Sequence, residues 1–186
     1  MKKVAGVDEV GRGSLIGPVY AAAVILNKNI NKKVLKDSKI LPRNRREILA
    51  TYIKKNSIWA VGKASAKEIE KINILNASLL AMKRAIKNLK KKPKLVLVDG
   101  NKLPNMKNYN LRSVVKGDQK IASISAASII AKVSRDKMII KLGEKFKGYN
   151  WRQNFGYGTR QHLKAIKSLG ISPHHRKTFS PFSRKK

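Results

Sequence analysis

Residues 4–26 read VAGVDEVGRGSLIGPVYAAAVIL, two apolar segments on either side of a glycine-rich turn. The first segment is Val4–Val10 and the second is Val19–Leu26, and both have the length and composition of strands. Three glycines and Pro18 lie between or beside them, and these residue types mark tight turns. We therefore predict a β-hairpin in this part of the chain.

Two adjacent acids, Asp8 and Glu9, lie inside the first predicted strand. Carboxylates in an apolar strand are costly unless they are paired or bound to a cation. Neighbouring side chains on a strand point to opposite faces, so both can reach one site only where the strand ends or twists. The turn Gly11–Gly13 supplies such an end. The pair therefore indicates a cation site at the end of this strand.

Two further carboxylates stand where predicted elements meet loops. Asp99 follows the apolar run KLVLV at Lys94–Val98, and Asp118 lies in VVKGDQK before a long predicted helix. Open α/β sheets bind ligands beyond the carboxyl ends of their strands, which favours a site at Asp99. An ordinary Asp-Gly turn is the alternative for Asp99, and a helix N-cap is the alternative for Asp118.

The chemistry of these acids indicates hard divalent cations. The chain has no cysteine, and its three histidines all lie late in the sequence. Carboxylates without histidine or cysteine ligands suit Mg²⁺ or Mn²⁺. Two such ions, about 3.5–4 Å apart, can activate a water and stabilise the leaving oxygen of a phosphodiester. The lack of cysteine also excludes disulfides, thiolate catalysis and cysteine-based zinc sites.

The charge of the chain points to a polyanionic partner. Lysine and arginine number 43 against 10 acids, which gives a formal net charge of +33. Such a field attracts nucleic acid, the first candidate partner. An anionic membrane surface is the second, although no basic amphipathic helix favours it. A genome rich in A and T is the alternative source of the many lysines.

The sequence contains no targeting or membrane-spanning pattern. The start, MKKVAGVDEV, reaches acids too early for a signal peptide. No run approaches the roughly 18 apolar residues of a membrane span. We expect a soluble, cytoplasmic protein that does not contact membranes.

The remaining pattern predicts an α/β domain with a central mixed sheet flanked by helices. Residues 1–150 form its main part, and residues 151–186 form a small helical C-terminal part of the same compact unit. Further strands are expected at Ile58–Lys63, Lys94–Val98 and Ser113–Val115, and helices at Asn44–Lys55, Ala66–Ile72, Ala77–Leu89, Ile121–Leu142 and Arg160–Leu169.

Several blocks resemble the bacterial ribonuclease HII family. They are the 4–26 stretch, DSKIL, LVLVDGN, VVKGDQKIASISAASIIAKVSRD, GYGT and HHRKTF, in this order along nearly the whole chain. The resemblance implies a ribonuclease H-like fold and a two-metal-ion endonuclease. The implied substrates are the RNA strand of RNA–DNA hybrids and DNA duplexes that contain ribonucleotides, cut on the 5′ side of the ribonucleotide. The products would carry 3′-OH and 5′-phosphate ends, and the enzyme is expected to be a monomer.

The resemblance also implies roles for individual residues. The residues expected to bind Mg²⁺ or Mn²⁺ and carry the catalysis are Asp8, Glu9, Asp99 and Asp118. The residues expected to contact substrate are Gly11, Arg12, Gly13, Lys39, Lys116 and Tyr157. Among these, the turn Gly11–Gly13 would read the ribose 2′-OH through its backbone, and Tyr157 would stack on the deoxyribose after the junction. Ordinary packing is the alternative for Tyr157. Lys120 also lies in a matched motif, but a solvated charge is an equal alternative.

Two further positions, Ser14 and Asp136, bear on the turn and on the metal site. Ser14 stands where the family usually has proline, which is expected to loosen the turn. Asp136, in SRD, is 18 residues after Asp118, about 27 Å along a helix, so both can hardly bind one ion pair. We assign the ligand role to Asp118 and expect Asp136 to pair with a basic neighbour.

Two other functions compete with the nuclease. A non-catalytic nucleic-acid binder would use the charge alone, but it gains nothing from four acids facing a phosphate backbone. Ribonuclease HIII carries an extra N-terminal substrate-binding domain, for which the three residues before Val4 leave no room.

Overall fold

The computed structural model describes residues 3–31, 33–35 and 41–182, without the side chain of residue 33. Lys39 and most of the DSKIL block lie outside the described residues, so the predicted substrate contact of Lys39 stays a prediction. The five described strands are β1 (Val4–Val10), β2 (Val19–Leu26), β3 (Ser57–Ala64), β4 (Leu95–Asp99) and β5 (Leu111–Val114).

The strands form one mixed sheet in the order β3-β2-β1-β4-β5. β1 and β2 pair antiparallel, which confirms the hairpin, and β2 pairs antiparallel with β3. β4 pairs parallel with β1, with Val7 opposite Val98, and β5 pairs parallel with β4. The carboxyl ends of β1 and β4 therefore lie side by side, and they bring Asp8 and Asp99 to the same edge.

The described helices cover all the predicted ones and add three short helices. They are a short 3-10 helix (Lys33–Leu35), α1 (Arg43–Lys55), α2 (Ala66–Lys87), α3 (Gly117–Lys120), α4 (Ala122–Lys145), α5 (Trp151–Asn154) and α6 (Arg160–Leu169). The two helices predicted at 66–72 and 77–89 are one element, α2, kinked at Asn73 with a φ of 63°. The long helix α4 has Ile121 at its N-cap, and Asp118 lies in the separate helix α3. The N-cap alternative for Asp118 is therefore wrong.

The sheet is covered on both faces. Side chains such as Val7, Ala21 and Ala23 pack against α2 on one face. Ala22 and Val24 pack against α1 and α4 on the other face, as the alternation along a strand requires. α4 approaches β1 so closely at Gly6 that a Cβ there would lie 2.2 Å from the carbonyl carbon of Ser123. The missing side chain of Gly6 therefore sets the distance between α4 and the sheet.

The C-terminal part packs on the turn after β1 and on α4. Leu15, Ile16, Ile139, Tyr149 and Trp151 form the buried centre of this contact. The division at residue 150 stays a prediction.

Among the described residues, no helix is both long enough and apolar enough to span a bilayer.

Candidate functional site

Asp8 and Glu9 lie near the end of β1 and project to different faces. Asp8 follows Gly6 on the face covered by α4, where it is 7% exposed and shares a hydrogen bond with Ser128. The amide of Glu9 donates to the Asp8 Oδ1 atom at 2.7 Å. On the other side, the guanidinium of Arg12 contacts the Glu9 Oε1 atom at 3.2 Å. The strand ends immediately afterwards, as the sequence predicted, so both carboxylates stand at its end.

Asp99 is the last residue of β4, beside this pair. The amide of Gly117 donates to its Oδ1 atom at 2.6 Å, which ties β4 to the start of α3. Asp99 interacts electrostatically with both Asp8 and Glu9. The parallel pairing of β1 and β4 therefore brings these three acids into one region.

This region penalises negative charge. Burial raises the pKa of the Asp8 carboxyl to about 8, with repulsion from Glu9 and then Asp99 adding to the effect of burial. Burial also raises the pKa of Glu9, and the nearby guanidinium of Arg12 opposes that rise. A bound cation would favour the charged forms of these side chains. Their oxygen donors fit the chemistry of a hard divalent ion.

Asp118 is placed differently. It follows Gly117, whose amide binds Asp99, but it lines a cavity of about 870 Å³. The walls of that cavity include Lys3 from before β1 and Leu26 from the end of β2, but not Asp8, Glu9 or Asp99. Among the described residues, no group of three or more His, Asp or Glu side chains is arranged so that it could hold a metal ion. The ligand roles of Asp8, Glu9, Asp99 and Asp118 stay predictions.

The turn Gly11–Gly13 rests on a buried arginine that the sequence analysis missed. Arg176 is fully buried and donates to the carbonyl oxygens of Gly11 and Arg12, both at 2.8 Å. The residue belongs to the HHRKTF block, but nothing distinguished it from the other basic residues of so basic a chain. The side chain of Arg12, by contrast, is about half exposed.

Ser14 binds the turn to the segment before Tyr157, and the expectation that it loosens the turn relative to proline stays a prediction. Ser14 is fully buried, and its hydroxyl donates to the carbonyl oxygen of Gly156 at 3.0 Å. The amide of Leu15 donates to the same oxygen at 2.8 Å. These bonds hold the turn against the segment that leads into Tyr157.

Tyr157 is half-buried beside two cations. The Cζ atom of Arg135 lies 5.6 Å from the centre of its ring, and the Nζ atom of Lys132 lies 5.8 Å from it. Lys132 also pairs with Asp136, from Nζ to Oδ1 at 3.0 Å. The expectation that Asp136 pairs with a basic neighbour is confirmed. The stacking role of Tyr157 stays a prediction.

The two lysines near α3 differ in their contacts. Lys116 is exposed at the N-cap of α3 with a left-handed backbone, φ 55°. The Nζ atom of Lys120 donates to the carbonyl oxygen of Val115 at 3.0 Å, so this side chain folds back on its own loop. The substrate contact of Lys116 stays a prediction.

The family profile and the curated relatives agree on one family. The profile of the ribonuclease HII family matches residues 5–182. The chain is 73% identical to the ribonuclease HII of Pelagibacter ubique strain HTCC1062, over 98% of each chain. The crystal structure of the ribonuclease H2 from Pyrococcus horikoshii OT3 is similar, with a TM-score of 0.80, 29% identity and coverage of 97% of this chain and 95% of that one.

A second solved structure supports the same relationship. The ribonuclease HII of Archaeoglobus fulgidus, solved in complex with PCNA, has a TM-score of 0.74 and 27% identity, and the match covers 99% of this chain and 96% of that one. The ribonuclease H-like fold expected from the sequence is thereby confirmed. The chain belongs to the ribonuclease HII family.

Proposed function

We propose that the chain is an endoribonuclease that hydrolyses the RNA strand of RNA–DNA hybrids and cuts on the 5′ side of ribonucleotides embedded in duplex DNA. One observation carries the proposal: Asp8, Glu9 and Asp99 lie in one region at one edge of the sheet and interact electrostatically, in a chain of net charge +33. A protein that only bound nucleic acid would have no use for acids that repel its phosphates. Membership of the ribonuclease HII family supports the same reaction.

The reaction depends on divalent metal, as it does across the family. We propose Mg²⁺ or Mn²⁺, held by Asp8, Glu9 and Asp99 together with Asp118. When bound, two such ions would activate a water and stabilise the leaving oxygen, which yields 3′-OH and 5′-phosphate ends. The protein supplies the carboxylate oxygens, and the burial of Asp8 keeps bulk water from that side chain.

The turn Gly11–Gly13 would read the ribose. RNA and DNA differ at the 2′-OH, so an enzyme that selects a ribonucleotide must contact that group. The turn follows directly after Glu9, and the contact between Arg12 and Glu9 joins the two. This adjacency supports a ribose contact beside the scissile phosphate.

The other residues predicted to contact the substrate would help to bind the duplex. Lys116, and Lys39 from outside the described residues, would bind phosphates. The ring of Tyr157 would lie against the deoxyribose that follows the ribonucleotide. We propose a cytoplasmic monomer, and the net charge of +33 favours a nucleic-acid partner. In that case the basic surface supplies most of the affinity for the duplex.

The proposal is tested with a duplex that carries one ribonucleotide, incubated with and without Mg²⁺, followed by mapping of the cut. Asp8→Asn, Glu9→Gln, Asp99→Asn and Asp118→Asn should abolish cleavage and leave metal-free duplex binding largely intact. Glu144→Gln is the matched control, because it removes one exposed carboxylate at the far end of α4. Near-normal turnover in any of the four variants would show that its ligand assignment is wrong.

Tyr157→Ala separates the stacking role from packing. It should impair cutting at a single ribonucleotide more than cutting of a continuous RNA–DNA hybrid, because only the first substrate presents a deoxyribose beside the ribonucleotide. The measurement is the ratio of the two rates under one metal and salt condition. If both rates fall together, Tyr157 is a packing residue.

A further inference from the structure

Arg176 is a buried cation bound by main-chain oxygens. Its Nη2 atom donates to the carbonyl oxygen of Gly11 and its Nη1 atom to that of Arg12, both at 2.8 Å, and its Nε atom donates to Gly17 at 2.9 Å. No carboxylate of the described residues forms an ion pair with it. A fully buried charge is costly. Its hydrogen bonds all go to the loop that follows β1, so this loop is what the buried cation holds in place.

These bonds fix the direction of two amides. A trans peptide is planar, so its C=O and N–H bonds point in opposite directions. The carbonyls of Gly11 and Arg12 point inward to Arg176, so the N–H groups of Arg12 and Gly13, in the same two peptides, point outward. Both residues are exposed, and neither amide has a hydrogen-bond acceptor among the described residues. Two donors therefore face solvent directly after Glu9.

A second buried arginine, Arg135, packs beside the same turn and serves as the comparison for Arg176. Gly11 has a φ of +91°, and a Cβ there would lie 2.2 Å from the Nε atom of Arg135. Arg135 is also fully buried, and it donates to the carbonyl oxygens of Ile16 and Pro18, later in the same loop, and of Phe155, but not to those of the turn Gly11–Gly13. The two arginines thus have similar surroundings and different targets.

We infer that Arg176 is a positioning residue, which turns the amides of Arg12 and Gly13 toward the substrate. The inference rests on the proposed function, because the ligand of these amides would be the ribose 2′-OH or the phosphate next to it. Arg176 touches no substrate itself. It acts through the two carbonyls and sets the direction of the donors before the duplex arrives, so that binding does not have to order them.

The test compares Arg176→Lys with Arg135→Lys on a continuous RNA–DNA hybrid, at saturating Mg²⁺ and at a temperature where both variants are folded. Lysine keeps the charge but loses the planar fork that binds two neighbouring carbonyls. Arg176→Lys should lower kcat on the order of 100-fold, because misplaced groups cost about that much. KM and the metal-free affinity for an all-DNA duplex should stay within about twofold, since phosphate contacts dominate affinity.

Arg135→Lys should lose about as much thermal stability as Arg176→Lys but keep kcat within about threefold. The reason is that chemistry slows only when the amides of Arg12 and Gly13 move. A kcat near the wild-type value in folded Arg176→Lys overturns the inference. An equal loss of kcat in Arg135→Lys also overturns it, because the effect would then be general loosening. The proposed function fails separately, if the wild-type protein does not cut the hybrid at all.

Hydrogen exchange on the wild-type protein keeps the inference testable if Arg176→Lys does not fold. The amides of Arg12 and Gly13 should exchange fast in the free protein and slowly when a duplex with one ribonucleotide is bound with Ca²⁺. An all-DNA duplex of the same sequence should protect them less. Amides already protected in the free protein, or equally exposed in both complexes, overturn the inference.

Discussion

Asp136→Asn tests the choice between the two acids of the long KGD-to-SRD block. The Asp136 side chain is 8% exposed and pairs with Lys132 at 3.0 Å, one turn earlier in α4. Removal of one partner of a fully buried pair costs about 3–5 kcal/mol. Lys132 keeps about a quarter of its side chain exposed and also lies 4.8 Å from the centre of the Phe155 ring, so it can regain water. We therefore expect a smaller loss of unfolding free energy, about 2 kcal/mol. In a chain of this size that loss lowers the thermal unfolding midpoint by about 4–8 °C.

The assay is thermal and urea unfolding of both proteins without metal, followed by calorimetric titration with Mn²⁺. The Mn²⁺ affinity of Asp136→Asn should stay within about twofold of the wild type, since ligand loss costs 10–100-fold or more. Lys132→Met and the double variant complete a cycle, in which the double variant should lose less stability than the sum of the single ones. An unchanged midpoint with a tenfold weaker Mn²⁺ affinity would refute the assignment of Asp136 to a structural pair.

Three further predictions address packing, pH and salt. Gly6→Ala should lower the free energy of unfolding by at least about 3 kcal/mol, because the added methyl group meets the α4 backbone. The methyl group of Gly13→Ala meets nothing within 4 Å, so this variant should change the free energy of unfolding little. Equal losses in the two variants would contradict the close approach of α4 to Gly6. Burial lowers the pKa of His175 to about 4, so the unfolded chain binds its proton first as pH falls below 6.5. Stability should therefore drop by about 3 kcal/mol in total between pH 6.5 and 4, and His175→Gln should remove this part of the slope in urea titrations. Metal-free duplex binding should weaken with log K linear in log[salt], and a flat response would mean that the +33 charge is not a binding surface.

The hairpin and the acid pair were predictable because their signals are local. The glycines and Pro18 lie between β1 and β2 and mark the turn. An acid pair inside an apolar strand has few explanations other than a cation site. The pairing of Val7 with Val98 was not predicted, but the rule that ligands bind beyond the carboxyl ends of such strands favoured a site at Asp99. The three acids that the structure brings together are therefore those whose positions depend on strands.

The supports of the turn could not be predicted, because they join residues far apart in the sequence. In the sequence analysis, Ser14 was considered only as a replacement for the proline that is usual at this position. Its hydroxyl donates to the carbonyl oxygen of Gly156, a partner 142 positions away. Arg176 was one basic residue among 43. The separate helix α3 was also missed, because only the left-handed backbone at Lys116 divides it from the strand before it, and a lysine gives no sign of that conformation.

The bonds from Arg176 to Gly11 and Arg12 span 165 and 164 positions, which has a consequence for the order of events during synthesis. The hairpin leaves the ribosome early, while the rest of the chain is still being made. At 5–20 residues per second, the arginine follows the turn by roughly 10–30 s. Until then the nascent chain already carries Asp8 and Glu9 but cannot orient the amides beside them. A growing polypeptide with a basic surface can therefore bind nucleic acid near the ribosome well before it is able to cut it.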